Sequence, residues 1–194
     1  MKKPLLSIFL SLVVFGANAQ ISRGSFLLGG SIGFNSMSSK YISNGVTTPQ
    51  GTTTTFSVIP QAGYFLSDQI AAGIGLTINS ISYKANGAST SLNSSRFLFS
   101  PFVRYYFPPK VYFQGGVDIG SASASSTGNG GSTTNSLFGW TLLAGYPVFL
   151  NESIAIEPQL GYNSLTNKID AGNKTTDGNF FIRVGFQIYF RPGK

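Results

Sequence analysis

From about residue 25 to residue 190 the chain alternates apolar and polar side chains with period two. No other feature constrains its fold as strongly. Successive side chains of an extended strand point to opposite faces, so this period makes a ribbon with one apolar and one polar side. In the last such stretch Phe180, Ile182, Val184, Phe186, Ile188 and Phe190 share one face, while Phe181, Arg183, Gly185, Gln187 and Tyr189 share the other. The stretch before it sets Ile154, Ile156, Pro158, Leu160 and Tyr162 against Ala155, Glu157, Gln159, Gly161 and Asn163. Further back, Phe97, Phe99, Pro101, Val103, Tyr105 and Phe107 oppose Arg96, Ser100, Phe102, Arg104 and Tyr106. Val111, Phe113, Val117 and Ile119 likewise oppose Gln114, Gly116, Asp118 and Gly120. The apolar face carries no charge in any of them.

Eight stretches of this kind are expected as strands: 25–35, 54–65, 70–82, 96–107, 111–123, 136–149, 153–164 and 179–190. Each is about as long as a tilted membrane-crossing strand, roughly 9–11 residues plus its ends. The alternation blurs after Ile78, where the third strand is expected to leave the membrane or bulge. Charged residues are only 10% of the chain, against about 25% in ordinary soluble domains. Outside the first 20 residues no apolar run reaches the roughly 20 residues of a spanning helix. An aromatic content of 14% argues against disorder. Strands that face lipid must close on themselves to satisfy their backbone groups. The expected fold is therefore all-β, an eight-stranded antiparallel up-and-down transmembrane barrel.

The connections alternate in length. Leu66-Ser67-Asp68-Gln69, Pro108-Pro109-Lys110 and Leu150-Asn151-Glu152 are tight, whereas 36–53, 83–95, 124–135 and 165–178 read as long loops rich in Ser, Thr, Asn and Gly. Membrane barrels of the outer envelope have short periplasmic turns and longer outside loops, so both termini are expected in the periplasm. Apolar-face aromatics fall at two depths. Phe26, Tyr64, Tyr105, Phe107, Phe113, Tyr146 and Phe190 lie near the tight turns; Phe34, Phe56, Phe97, Phe99, Phe138, Trp140, Tyr162 and Phe180 lie towards the loops. Two such belts match the two interfaces of a bilayer.

The first residues read as an export address. Lys2 and Lys3 precede an apolar core over Pro4 to Phe15, and Gly16-Ala17-Asn18-Ala19 has the small-x-small form of a signal-peptidase site. Residues 1–19 are expected as a signal peptide and 20–194 as one barrel domain.

The whole mature stretch resembles the small eight-stranded outer-membrane β-barrels of the OmpA/OmpX type, in its signal, strand count, turn–loop asymmetry and two aromatic belts. Arg183, Gly185, Ile188 and Phe190 also resemble the terminal-strand signal read by the barrel assembly machinery. The Arg191-Pro192-Gly193-Lys194 tail departs from it, because such signals often end on the aromatic. The resemblance implies a monomer in the outer membrane of a Gram-negative-type bacterium. Its partners would be outer-membrane lipid, lipopolysaccharide, the assembly machinery and an extracellular ligand at the loops.

Several chemistries are excluded or weak. There is no cysteine and no histidine, which removes thiolate chemistry and the commonest general base and metal ligand. Enzymatic outer-membrane barrels resemble one another in using His with Ser, Asp or Glu, so no catalytic residue, cofactor or metal is expected. Lys40 or Lys84 near loop serines has nothing to desolvate it. Asp170 and Asp177, beside Lys168 and Lys174, make a weak cation site. Gly128-x-Gly130-Gly131 lacks the Lys-Ser/Thr and the helix of a phosphate loop. Losing the two lysines of the signal would take the net charge from +7 to +5, an excess too modest for a nucleic-acid footprint.

The inward charges are more informative. Arg104 and Glu157 sit at similar heights on strands that face one another across an eight-stranded barrel, as do Asp118 and Arg183. Two cross-lumen pairs, Arg104–Glu157 and Asp118–Arg183, are expected, because buried charges need partners. With eight strands the interior is only wide enough for side chains to fill, and Phe102, Tyr106, Tyr112 and Tyr189 are there to fill it. The expected role is a non-enzymatic structural or surface-interaction protein acting through four outside loops. One rival is a narrow channel of the OmpW-like sort, from which apolar solutes leave sideways. Another is a soluble lipocalin-like carrier, which would put its apolar faces inside.

Overall fold

The computed structural model of the chain describes residues 21–43, 46–88, 91–108, 111–126, 129–168 and 173–191. The expected signal segment, 1–19, lies outside them. The strands are β1 (Phe26–Ser43), β2 (Val46–Phe65), β3 (Ile70–Ala85), β4 (Ser91–Phe107) and β5 (Val111–Ser126), then β6 (Asn129–Gly145), β7 (Val148–Phe149), β8 (Ile154–Lys168) and β9 (Lys174–Phe190). Each pairs antiparallel with its neighbour, β6 pairs with β8, and β1 pairs with β9 to close the barrel. β6 and β7 are two parts of one staves-length strand, so the barrel has eight.

That sixth strand, expected as one run over 136–149, is interrupted at Tyr146-Pro147. Gly145 pairs with Gln159 and Val148 with Ile156, so the register is unchanged across the gap. Tyr146 N still donates to Pro158 O at 3.2 Å. The ladder lapses because two prolines meet there, and neither Pro147 nor Pro158 has an N–H to donate.

Local side-chain chemistry makes two of the tight turns. Ser67 Oγ accepts from the N–H groups of Gln69 and Ile70, at 3.3 and 3.0 Å. Asn151 Oδ1 does the same for Ser153 and Ile154, at 2.9 and 2.8 Å. Such turns mimic backbone hydrogen bonds and reverse the chain in few residues. Pro109 and Lys110 of the third turn lie outside the described residues.

The long connections differ from expectation. Their described residues are mostly strand: β1 and β2 pair as far as Ser43 and Val46, β3 and β4 to Lys84 and Ser91, β5 and β6 to Ser126 and Asn129, β8 and β9 to Lys168 and Lys174. The described residues of the segment 124–135 are strand, 124–126 in β5 and 129–135 in β6. Four hairpins therefore extend the barrel wall. Cross-strand hydroxyl contacts knit them, Ser38–Thr52 at 3.3 Å, Ser123–Thr134 at 3.0 Å and Thr166–Thr176 at 2.9 Å. The third strand has no bulge after Ile78; it runs on in constant register with β4 to Lys84.

Outward faces are apolar from strand to strand, with Leu28, Val103, Leu142, Leu160 and Ile182 all exposed. This polarity is the reverse of a lipocalin-like carrier. The aromatics form two rows. Near the tight turns Phe26 meets Tyr64 and Phe190 at ring-centroid distances of 5.1 and 5.5 Å, and Phe107 meets Tyr105 and Phe113 at 4.5 and 5.6 Å. Higher up, Tyr162 meets Trp140 and Phe180 at 5.5 and 4.8 Å.

One seam is shorter than the rest. β1 and β9 pair only from Phe26↔Phe190 to Ser31↔Gly185. Beyond that point no pairing joins them among the described residues. Gly30, at the parting point, has φ +152°, and a Cβ there would stand 2.8 Å from Pro60 Cα. Only glycine tolerates that backbone and that approach.

Candidate functional site

The three tight turns mark one end of the barrel, and just inside it the lumen is filled. Leu27, Phe65, Phe102, Tyr106, Tyr112, Leu143 and Tyr189 form a buried cluster contributed by six strands. Inside that apolar collar lie two ions. Arg104 on β4 and Glu157 on β8 are both 0% exposed, and Arg104 Nη1 stands 3.2 Å from each carboxylate oxygen of Glu157. The two side chains meet across the lumen because their strands are far apart in the barrel and their inward parity aims them at its axis.

The ions are held by neighbours as well as by one another, although Arg104 Nη2 is buried without a hydrogen-bond partner. Arg104 donates from Nε to Gln114 Oε1 at 2.9 Å and from Nη1 to Tyr106 Oη at 3.0 Å, with its guanidinium 3.9 Å from the Tyr112 ring centroid. Glu157 accepts from Tyr112 Oη at 2.6 Å, from Gln159 Nε2 at 3.2 Å and from Tyr189 Oη. Tyr106 and Tyr189 join hydroxyls at 3.0 Å, which closes the ring of donors and acceptors. Gly145 makes room for Tyr112, since a Cβ there would stand 2.5 Å from its ring. A buried ion pair of this kind is tolerated only with such extra hydrogen bonds.

Asp118 and Arg183 are not joined. Asp118 is taken by its own neighbours, accepting from Ser100 Oγ at 2.5 Å and from Thr141 Oγ1 at 2.7 Å. Arg183 donates from Nε to Gln159 Oε1 at 2.6 Å and stacks 4.8 Å from the Phe181 ring centroid. Hydroxyls on the two flanking strands reach the carboxylate sooner than a guanidinium across the lumen. Both residues instead line a cavity of about 480 Å³ above the filled end, with Asn79, Arg96, Thr141 and Asn163. A small cluster of Leu98, Leu137 and Leu165 lies higher on one wall.

Of the terminal-strand residues, Gly185 pairs with Ser31 on one side and Glu157 on the other. Ile188 faces outward, and Phe190 ends β9 stacked on Phe26. Sequence reasoning missed Gln114 and Gln159 as partners of the ions. Their inward parity was visible, but which cation or carboxylate each would reach depends on register. It also missed Arg96 and Asn79, whose Nε and Oδ1 atoms are buried without a hydrogen-bond partner.

The family model described as "Outer membrane protein beta-barrel domain" matches residues 7–190. Among solved structures the chain is similar to the outer membrane protein OprG from Pseudomonas aeruginosa, at 13% identity and TM-score 0.44, covering 88% of this chain and 97% of that one. It is similar also to Neisserial surface protein A, at 16% identity and TM-score 0.45, covering 87% and 99%. The translocator domain of the autotransporter NalP from Neisseria meningitidis is matched at 16% identity and TM-score 0.44, covering 94% and 68%. No curated protein matches the sequence.

Proposed function

This chain belongs to the outer membrane protein beta-barrel domain family, and on that premise we propose a non-enzymatic barrel that stays shut and displays its four long hairpins outside the cell. The observation that carries this reading is the Arg104–Glu157 network, which seals the turn end with two ions, three tyrosines and two glutamines. A pore for ions would need hydrated charge along its axis; here Arg104 and Glu157 are fully buried. The absence of histidine supports a role without acid–base catalysis.

In this reading the tight turns and both termini face the periplasm, and outer-membrane lipid and lipopolysaccharide cover the apolar faces. The β9 residues Arg183, Gly185, Ile188 and Phe190 serve as the address read by the assembly machinery, and the protein acts as a monomer. The hairpins, rich in Ser, Thr and Asn, offer hydrogen-bonding edges to an extracellular ligand. Single cysteines test the arrangement cleanly, because the chain has none of its own. A membrane-impermeant maleimide should label Ser38→Cys and Thr175→Cys on intact cells and spare Asp68→Cys and Asn151→Cys. The opposite pattern would overturn the orientation.

One observation favours a second reading, a route for small apolar solutes that leaves sideways. The β1–β9 seam stops at Ser31 and Gly185, so such a route would run from the hairpin end to the seam and bypass the sealed end.

A further inference from the structure

Where β1 and β9 part, the lumen cavity reaches the outer surface. Its lining includes inward residues, Arg96, Asp118 and Arg183 among them, and also the outward Ile32, Phe34 and Ile182. With Phe180 they are the most exposed large hydrophobic side chains among the described residues: Ile32 74%, Phe34 73%, Phe180 82% and Ile182 83%. Elsewhere a neighbouring strand covers part of each such residue; here the neighbour is missing. Unpaired backbone in hydrocarbon is costly, and such a gap persists only where something polar or a cavity meets it.

The charges inside the gap are unequal. Both carboxylate oxygens of Asp118 are already occupied by Ser100 and Thr141. Arg96 has Asp177 in its electrostatic neighbourhood and a buried, unpartnered Nε. Arg183 is held by the neutral Gln159, with Asp118 and Glu157 acting on it only through space. The site thus pairs a cation lacking a carboxylate in contact with a greasy slot that opens outward.

We propose that this cavity and seam bind an anionic single-chain amphiphile, its head group on Arg183 and Arg96 and its hydrocarbon tail emerging between Ile32 and Ile182. The head completes the guanidinium hydrogen bonds. The tail covers the exposed side chains where the wall is incomplete. Gly30, with its φ of +152°, is one residue from the last paired position of the seam. This inference rests on the sideways route above and adds the ligand class and its recognition.

The register supplies a lock. Continuing Ser31↔Gly185 by one pair sets Ile32 opposite Val184, so Ile32→Cys/Val184→Cys should close the seam when oxidised. Dodecanoate and dodecanol would be titrated by calorimetry into the full-length protein in phosphatidylcholine nanodiscs, with empty nanodiscs as the baseline and gel mobility as the check on folding. One dodecanoate should bind per chain above baseline, and dodecanol at least about tenfold more weakly, the worth of one charge-assisted hydrogen bond. Arg183→Gln should lose that preference and Arg183→Lys should keep it. Oxidation of the double-cysteine variant should abolish binding, and reduction should restore it. Binding that is lost on oxidation yet equal for the acid and the alcohol would sink the head-group assignment and leave the route standing. Binding indifferent to oxidation would sink both.

Discussion

Removing one ion of the sealed end should cost far more than removing both. Arg104 and Glu157 are fully buried, and stranding one partner of such a pair typically costs about 3–5 kcal/mol. The two losses are not equivalent here. After Arg104→Met, the Glu157 carboxylate keeps Tyr112, Tyr189 and Gln159 as donors, so the cost belongs near 3 kcal/mol, the lower end of that range. After Glu157→Leu, Arg104 keeps Gln114, the Tyr106 hydroxyl and the ring faces of Tyr112, Tyr106 and Phe102, none of them charged. Its cost belongs near 5 kcal/mol, the upper end. The double variant removes both charges but leaves the hydroxyls of Tyr112 and Tyr189 short of acceptors. An unsatisfied buried group costs about 1–3 kcal/mol, and Tyr106 remains to pair with Tyr189, so the double should lose about 1–3 kcal/mol. The coupling energy is then several kcal/mol. Urea unfolding in lipid vesicles, followed by Trp140 fluorescence and by gel mobility, measures all four corners of the cycle. Single losses under about 1 kcal/mol that simply add would mean a hydrated lumen and would refute the reasoning.

Arginine in place of Val103 or Leu160, both exposed on the outer face, should cost about 2–4 kcal/mol near the bilayer midplane and lower the folded yield. Thr77→Arg, which points into the cavity, should be better tolerated; equal losses at the two kinds of position would mean the faces are misassigned. Gly145→Ala sets a methyl group against the Tyr112 ring and should destabilise by about 1–3 kcal/mol in the same unfolding assay, with wild-type stability as the contrary result. The protein should fractionate with outer membranes and shift its gel mobility on boiling, because a closed hydrogen-bonded wall resists detergent until heated; comigration of heated and unheated samples would contradict closure.

The parts of the fold visible in the sequence are those that lipid selects. Period-two alternation, the two aromatic rows and the tight turns at Ser67 and Asn151 each have a side-chain signature. The hairpin extensions have none, because above the membrane neither face needs to be apolar. Their Ser and Thr ladders therefore read as loops, although β1 and β2 pair as far as Ser43 and Val46, with one register shift at Ser39/Lys40. The site divided for a similar reason. Parity and height brought Arg104 to Glu157 across the axis. Asp118 had Ser100 and Thr141 beside it, and a short-range hydroxyl outcompetes a distant guanidinium. Parity also gives direction without space. Gln187 points inward like the cavity residues, yet it is fully buried and its amide is unpartnered. The seam was invisible because an unpaired backbone leaves no mark on side-chain pattern, beyond Gly29-Gly30 in β1.

The central claim is that the lumen is sealed at the turn end by the ions and tyrosines around Arg104 and Glu157. Single-channel recording of the refolded protein in planar bilayers tests it most directly. The sealed barrel should give no steady conductance steps above the bare bilayer, and Arg104→Ala with Glu157→Ala, which empties the middle of the network, should produce them. Reproducible ion-selective steps from the unaltered protein would contradict the claim.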